Sequence, residues 1–409
     1  MNKNIILNEG YDQKNIFDYA NKSYIYKGRK KYIDLSYGAG TLILGNQSKI
    51  FVNSIKQILS KKASIIGTPN QEAVKYSKLL KKIFPRYSKF IFCNTGSEAI
   101  TKSLRIANAI TGKNLIISVT GSWHGSVDKT LFTSNKSLKS FPISSGLGEF
   151  NKKNIKFIPY NNINKSKKIL EKNKKKISCL IIEPIQASLP QLNIEKYLNF
   201  LVKYCNKNNI IILFDETITG IRYKGSSVQQ TLNLQPDIST FGKCFGGGFP
   251  IGIIAITDKL QKKLSQLKKG VFFGGTFSGN QISTFVGRKT VEYIHKNKKK
   301  IFDLLEKQGN YIEKEIKKFI NMNNLNANLL RCGSILRIIF SKKLPKDRVE
   351  RDFLEKNKKK KIDNFRNFLL NQGIYYPSNG ILFISYQNSK NDVKKIIKSI
   401  NSALLKFLK

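Results

Sequence analysis

The chain has 409 residues, 73 Lys and Arg against 26 Asp and Glu, a formal charge of +47, and 40% hydrophobic residues. That length suits two domains, or one large domain with an appendage, and the apolar content excludes global disorder. The basic residues are mostly Lys and are spread along the whole sequence, so the charge reads as solvated surface and not as a nucleic-acid footprint.

The opening stretch "MNKNIILNEGYDQKNIFDYANK" has no apolar run followed by a small-residue cleavage site, so no signal peptide is expected. Runs such as "NIIILF" and "IGIIAI" are strand-length, well short of the roughly 20 residues of a membrane span. The expectation is a cytoplasmic protein with neither membrane nor nucleic-acid partners. Five Cys are scattered without a CxxC pair and there are only two His, which points to buried free thiols and no metal site.

In chain order, "KSYIYKGRKKYIDLSYG" predicts an N-terminal hairpin. Apolar strands follow at 89–94, 114–119, 154–160, 177–184, 209–216 and 251–256, with helical stretches such as 97–111 and 193–208 between them. Near-continuous apolar strands separated by helices predict an α/β fold with a mostly parallel sheet covered on both faces. Beyond about residue 285 the pattern changes to one long charged helix over 284–324, a strand "SILRIIFS", a Lys-rich helix, "GILFISYQN" and a final helix. The predicted division is 1–50 as an N-terminal segment packing with the smaller domain, 51–285 as the large domain, and 286–409 as a smaller α+β domain.

Within the predicted large domain, "CNTGSEAI" sets Thr95, Gly96 and Ser97 between a strand and a helix. Glycine lets backbone N–H groups approach closely and a helix N-terminus favours negative charge, which makes a phosphate cradle. "TGSWHGSVD" sets Trp123 and His124 in a glycine-bounded turn, suited to stacking on a flat ring. "IIILFDETITGIR" delivers Asp215 and Glu216 at the carboxyl end of a strand, where open α/β sheets place ligands. Glu216 and Arg222 are expected either as an ion pair or as pocket residues. Then "STFGKCFGGGFPIG" surrounds Lys243 with small residues that cannot solvate it. A cradle, an aromatic platform, a buried acid and a poised amine describe a site for pyridoxal 5′-phosphate, with Lys243 forming the Schiff base and Asp215 keeping the pyridine nitrogen protonated.

The order NTGSEA, SWHG, IIEPIQ, ILFDETITGIR, FGKCFGGGFPIG and GGTFSGNQ resembles the class III, fold type I aminotransferases, and within them the glutamate-1-semialdehyde aminomutase-like branch. The resemblance implies a fold type I transferase with Lys243 and Asp215 as the catalytic pair. It implies Trp123 and His124 at the cofactor ring, Thr95, Gly96 and Ser97 at the phosphate, and Glu183, Gln186 and Thr217 beside the pocket. Thr276 would reach the phosphate from a second subunit, which implies a homodimer with shared active sites.

"SIIGTPNQEA" (64–73) and "RCGSILRIIFS" are also similar to that branch. Other positions depart from it. The arm before Arg29 lacks an Arg, "YPSNGILFIS" carries Asn379 and Gly380 where the aminomutase has a Glu, Ser188 replaces an Asn, and "LGNQSK" replaces "LGHAHP". These departures touch the substrate pocket and leave the cofactor machinery alone. The expected activity is therefore amino-group transfer between a donor such as glutamate and an aldehyde or ketone acceptor. The alternative is glutamate-1-semialdehyde 2,1-aminomutase, a step of tetrapyrrole precursor synthesis. Arg331 and Arg337 are candidates for holding a substrate carboxylate.

Overall fold

The computed structural model describes residues 15–61, 65–191 and 193–409. Residues 1–14 of the opening stretch read for a signal peptide, and Ser64 of the "SIIGTPNQEA" segment, lie outside that set. The chain divides into two compact units, one of Ile50–Gln186 and Leu192–Lys296, the other of Met1–Lys49, Ala187–Gln191 and Asn297–Lys409.

The first unit is built on seven strands: β1 (Tyr87–Cys93), β2 (Leu115–Val119), β3 (Ile155–Ile158), β4 (Ile177–Ile182), β5 (Ile211–Asp215), β6 (Ile238–Gly242) and β7 (Gly252–Thr257). Their order across the sheet is β1-β7-β6-β5-β4-β2-β3. From β6 to β3 all neighbours run parallel, and β7 runs against both of its neighbours. Every residue of β2, β4, β5, β6 and β7 is buried, as a sheet covered on both faces requires. The α/β class read from the apolar runs is the one observed.

Helix α1 (Gly96–Thr111) follows β1, capped by the Thr95 side chain at its start and by left-handed Gly112 at its end. Its inner face, Ala99, Ile100, Leu104 and Ala107, joins Ile181, Leu213, Ile238 and Ile254 in one core cluster. Each large aliphatic side chain buried there contributes about 1.5–3 kcal/mol, which fixes the start of α1 against the sheet.

Two expectations are corrected. The strand β6, "ISTFG", was not read as one, because its Ser, Thr and Gly mask a fully buried segment. The single charged helix expected over 284–324 is two, Gln281–Lys296 and Lys298–Met322, separated at Asn297, whose backbone leaves the helical region (φ −106°, ψ 20°). Asn is a weak helix former, and the lysines crowded on either side of it repel one another.

The second unit holds the N-terminal hairpin, Tyr24–Lys27 against Lys30–Asp34, as the sequence predicts. Lys30–Asp34 also pairs in parallel with Ile374–Tyr375, Ile33 opposite Ile374. A three-stranded sheet and helices including Lys359–Asn371 and Lys390–Leu408 complete it. Among the described residues, no helix is long and apolar enough to cross a membrane, and no cluster of His, Cys, Asp and Glu has the makings of a metal site. All five Cys are buried and none is in a disulfide.

Candidate active site

Asp215 ends β5, in register with Thr240 of the adjacent parallel strand β6. Three residues past Thr240 the chain reaches Lys243, so the acid and the amine leave the carboxyl edge of neighbouring strands. Lys243 opens a short 3-10 turn with φ +50°, a left-handed conformation that costs a non-glycine residue about 1–3 kcal/mol and is typical of functional positions. Burial pulls its ammonium below the usual lysine range, while the Asp215 and Glu183 charges oppose that fall.

Asp215 is buried and fully engaged. His124 Nδ1 stands 2.9 Å from Oδ2, and Oδ1 accepts from Thr217 Oγ1 at 2.6 Å, Thr217 N at 3.1 Å and Thr240 Oγ1 at 3.2 Å. Burial alone would raise its pKa, but the hydrogen bond and charge of His124, with Thr217 and Lys243, hold it below the ordinary carboxylate value. A carboxylate accepts only, so Nδ1 of His124 carries a proton in that bond, and the other ring nitrogen is Nε2. That Nε2 is buried and has no hydrogen-bond partner among the described residues.

Beyond β4 lies Glu183, also buried, whose Oε2 accepts from the Trp123 backbone N–H at 2.7 Å. Burial first, then the Asp215 charge, push its carboxyl up to about 7. The Trp123 indole is 48% exposed, so it is not a core residue. Gln186 is fully buried, donating to Thr120 O at 2.8 Å and Ser122 Oγ at 3.2 Å, and its Oε1 has no partner among the described residues.

The start of α1 closes around these groups. Thr95 Oγ1 accepts from Glu98 N, while the first-turn N–H groups of Gly96 and Ser97 have no carbonyl of the helix to bind. Thr217 packs between Gly96 and Gly242, where a methyl on either glycine would come within 3.2 Å and 3.1 Å of its Cγ2. Gly125 has φ +76°, and a methyl there would sit 2.3 Å from Ser97 Oγ, which accepts from Ser126 N at 3.0 Å. The loop carrying Trp123 and His124 is thereby tied to the helix start.

Asp215, His124, Thr217, Glu183, Trp123 and Lys243 thus form one constellation, with Thr95, Gly96 and Ser97 at its border through Thr217. Thr276 is not joined to it by any contact; it lies exposed in the loop before Gln281–Lys296. Thr240 was missed in the sequence, and its only signal there was a hydroxyl three residues before Lys243. Glu216 does not pair with Arg222. It accepts from Val228 N, Gln229 N and Thr219 Oγ1, while Arg222 donates to Cys244 Sγ at 3.8 Å.

In the second unit Arg331 is taken up by Glu306, Glu313 and Gly333 O, and Arg337 by Glu355 and the Asn379 carbonyl. Arg337 Nε is buried with no hydrogen-bond partner among the described residues.

The donor set fits pyridoxal 5′-phosphate. Its phosphate suits the α1 start, its ring nitrogen suits an acid held anionic, and its ring hydroxyl suits the orphaned Gln186 Oε1.

Residues 13–404 match the family described as aminotransferase class-III. The chain is 31% identical to glutamate-1-semialdehyde 2,1-aminomutase of Archaeoglobus fulgidus over 378 residues, 91% of this chain and 88% of that protein. The same enzyme of Methanosphaera stadtmanae is 31% identical over 389 residues, 93% and 88% of the two chains. Among solved structures, an omega-transaminase from Sphaerobacter thermophilus superposes with a TM-score of 0.86 at 19% identity over 97% of this chain and 92% of that one. A glutamate-1-semialdehyde-aminomutase from Pseudomonas aeruginosa gives 0.83 at 16% identity over 95% and 87%. These two share the fold.

Proposed function

The chain belongs to the class-III aminotransferases, enzymes that use pyridoxal 5′-phosphate, and we propose that it moves an amino group between a small-molecule donor such as glutamate and an aldehyde or ketone acceptor. The observation that carries this reading is the Asp215 carboxylate, held anionic by His124, at the edge of the strand next to the one that delivers Lys243. When bound, the cofactor supplies an aldehyde that links covalently to amines and a ring that takes up the electron pair released at the substrate carbon.

The residues then divide the work. Asp215 holds a proton at the ring nitrogen, and His124 keeps that carboxylate oriented and charged. Lys243, with its ammonium destabilised by burial, would supply the amine for covalent attachment and for carrying a proton to and from the substrate carbon. Gly96 and Ser97 would hold the phosphate at the α1 start, Gln186 Oε1 would accept from the ring hydroxyl, and Trp123 would face the ring. Thr276 serves the phosphate of a second copy, so the working form is a homodimer in the cytoplasm. Supporting that arrangement, Phe277 beside it is 56% exposed and lines an apolar hollow of ≈ 450 Å³ with Ile65, Ile66 and Phe249.

The relatives named above favour a second reading, the aminomutase, which isomerises glutamate 1-semialdehyde without an external donor. A two-stage experiment tests both. Borohydride reduction of the yellow protein should fix the cofactor on the peptide containing Lys243, and Lys243→Ala treated in the same way should carry no covalent label. Label retained in that variant, or label on another lysine, overturns the assignment. Mixing the wild-type protein with single amines then identifies the donor by loss of absorbance, and glutamate 1-semialdehyde supplied alone identifies the aminomutase by turnover.

A further inference from the structure

We propose that Glu183 is a positioning residue for Trp123, its carboxyl latching the Trp123 peptide N–H and so fixing the backbone from which the indole projects. The sequence places Glu183 only on the pocket wall. The structure gives it a specific task, because its Oε2 takes the Trp123 N–H at 2.7 Å while its side chain is closed to solvent. Trp123 is 48% exposed, so burial holds it less firmly than a core residue, and the backbone hydrogen bond fixes the peptide from which its ring projects.

The groups facing Glu183 are few. Asp215 comes from the end of β5, His124 from the loop after β2, Lys243 from the turn after β6, and the Trp123 N–H completes the shell. Burial and the Asp215 charge favour the neutral acid, while His124, the Trp123 N–H and Lys243 favour the carboxylate. These influences leave the carboxyl changing state near 7. An ionised carboxylate accepts the N–H more strongly than the neutral acid does. The latch therefore tightens as pH rises through that value. That the indole rests on a cofactor ring depends on the function proposed above; the latch itself does not.

Trp123 is the only tryptophan in the chain, so intrinsic fluorescence reads this one ring. In the full chain freed of cofactor, emission from pH 5 to 9 should step with a midpoint near 7, as the Glu183 carboxyl does. Glu183→Gln keeps an acceptor without the charge and should abolish the step. Glu183→Ala should give red-shifted emission at every pH, and less quenching when pyridoxal 5′-phosphate is added. The latch is overturned if the step persists in Glu183→Gln, or if Glu183→Ala emits as the wild type does throughout. Should Glu183→Ala not fold by circular dichroism, Glu183→Gln decides alone. Because the emission arms need no cofactor, they can fail while the Lys243 attachment stands, and the reverse.

Discussion

His124 and Asp215 form a closed pair: Nδ1 lies 2.9 Å from Oδ2, and both side chains are buried. The imidazole is what keeps a carboxylate anionic at a depth where burial alone would protonate it. His124→Ala should raise the Asp215 pKa and leave that acid short of a partner. Stability of the cofactor-free protein should fall by about 1–3 kcal/mol, read from urea denaturation at pH 7. The loss should shrink toward acid pH, where Asp215 is protonated in folded and unfolded chains alike.

Asp215→Asn keeps the shape and removes the charge. Transfer rates should drop by roughly 10²–10³-fold, the scale seen when one preorganised electrostatic partner is removed. Single-turnover measurement with the best amine checks this, and a drop under tenfold would assign the ring nitrogen to another group.

Glu216 is buried, and burial pushes its carboxyl up to about 7 from an ordinary 4.5, against the lowering pull of the Gln229 and Val228 N–H groups. A raised folded-state pKa favours folding fully below 4.5, and that benefit is lost as pH rises to about 7. Glu216→Gln should flatten the decline, worth roughly 1–3 kcal/mol between pH 5 and 7.5. Urea midpoints at the two pH values provide the comparison, and an unchanged slope would refute it.

Gly125→Ala places a methyl 2.3 Å from Ser97 Oγ in a backbone with φ +76°. It should cost about 1–3 kcal/mol and weaken cofactor retention, because the same loop carries His124. Thermal midpoints with and without pyridoxal 5′-phosphate separate the two effects.

Lys102 on α1 is 5% exposed, the Cys93 thiol lies beside its ammonium, and its nearest carboxylate, that of Glu98, stands 3.8 Å away. Lys102→Met removes a poorly compensated charge and should stabilise the fold by about 1–3 kcal/mol. A destabilisation measured by urea would mean the ammonium has a partner.

The strands legible in the sequence were those whose apolar runs are continuous, such as "IIILFD" and "IGIIAI", because burial on both faces writes itself into composition. Strand β6 was illegible, since its Ser239 and Thr240 are satisfied by neighbours far away in sequence: Ser239 by Tyr87 and Gln229, Thr240 by Asp215. Lys243 and Asp215 stood out through the mismatch between residue type and surroundings. The His124–Asp215 bond did not, because nothing in "SWHG" says which carboxylate the imidazole meets. The fate of Arg331 was equally hidden, for its acids, Glu306 and Glu313, lie on a helix that reads as ordinary charged surface.

The parallel pairing of Ile33 with Ile374 reaches beyond the static fold. During synthesis the hairpin Tyr24–Lys27 with Lys30–Asp34 emerges long before Ile374–Tyr375, the strand that completes its edge. Contacts of such long sequence separation form slowly. The hairpin therefore waits for Ile374–Tyr375, and a chain stalled before that strand leaves it with an open edge ready to pair with a stranger.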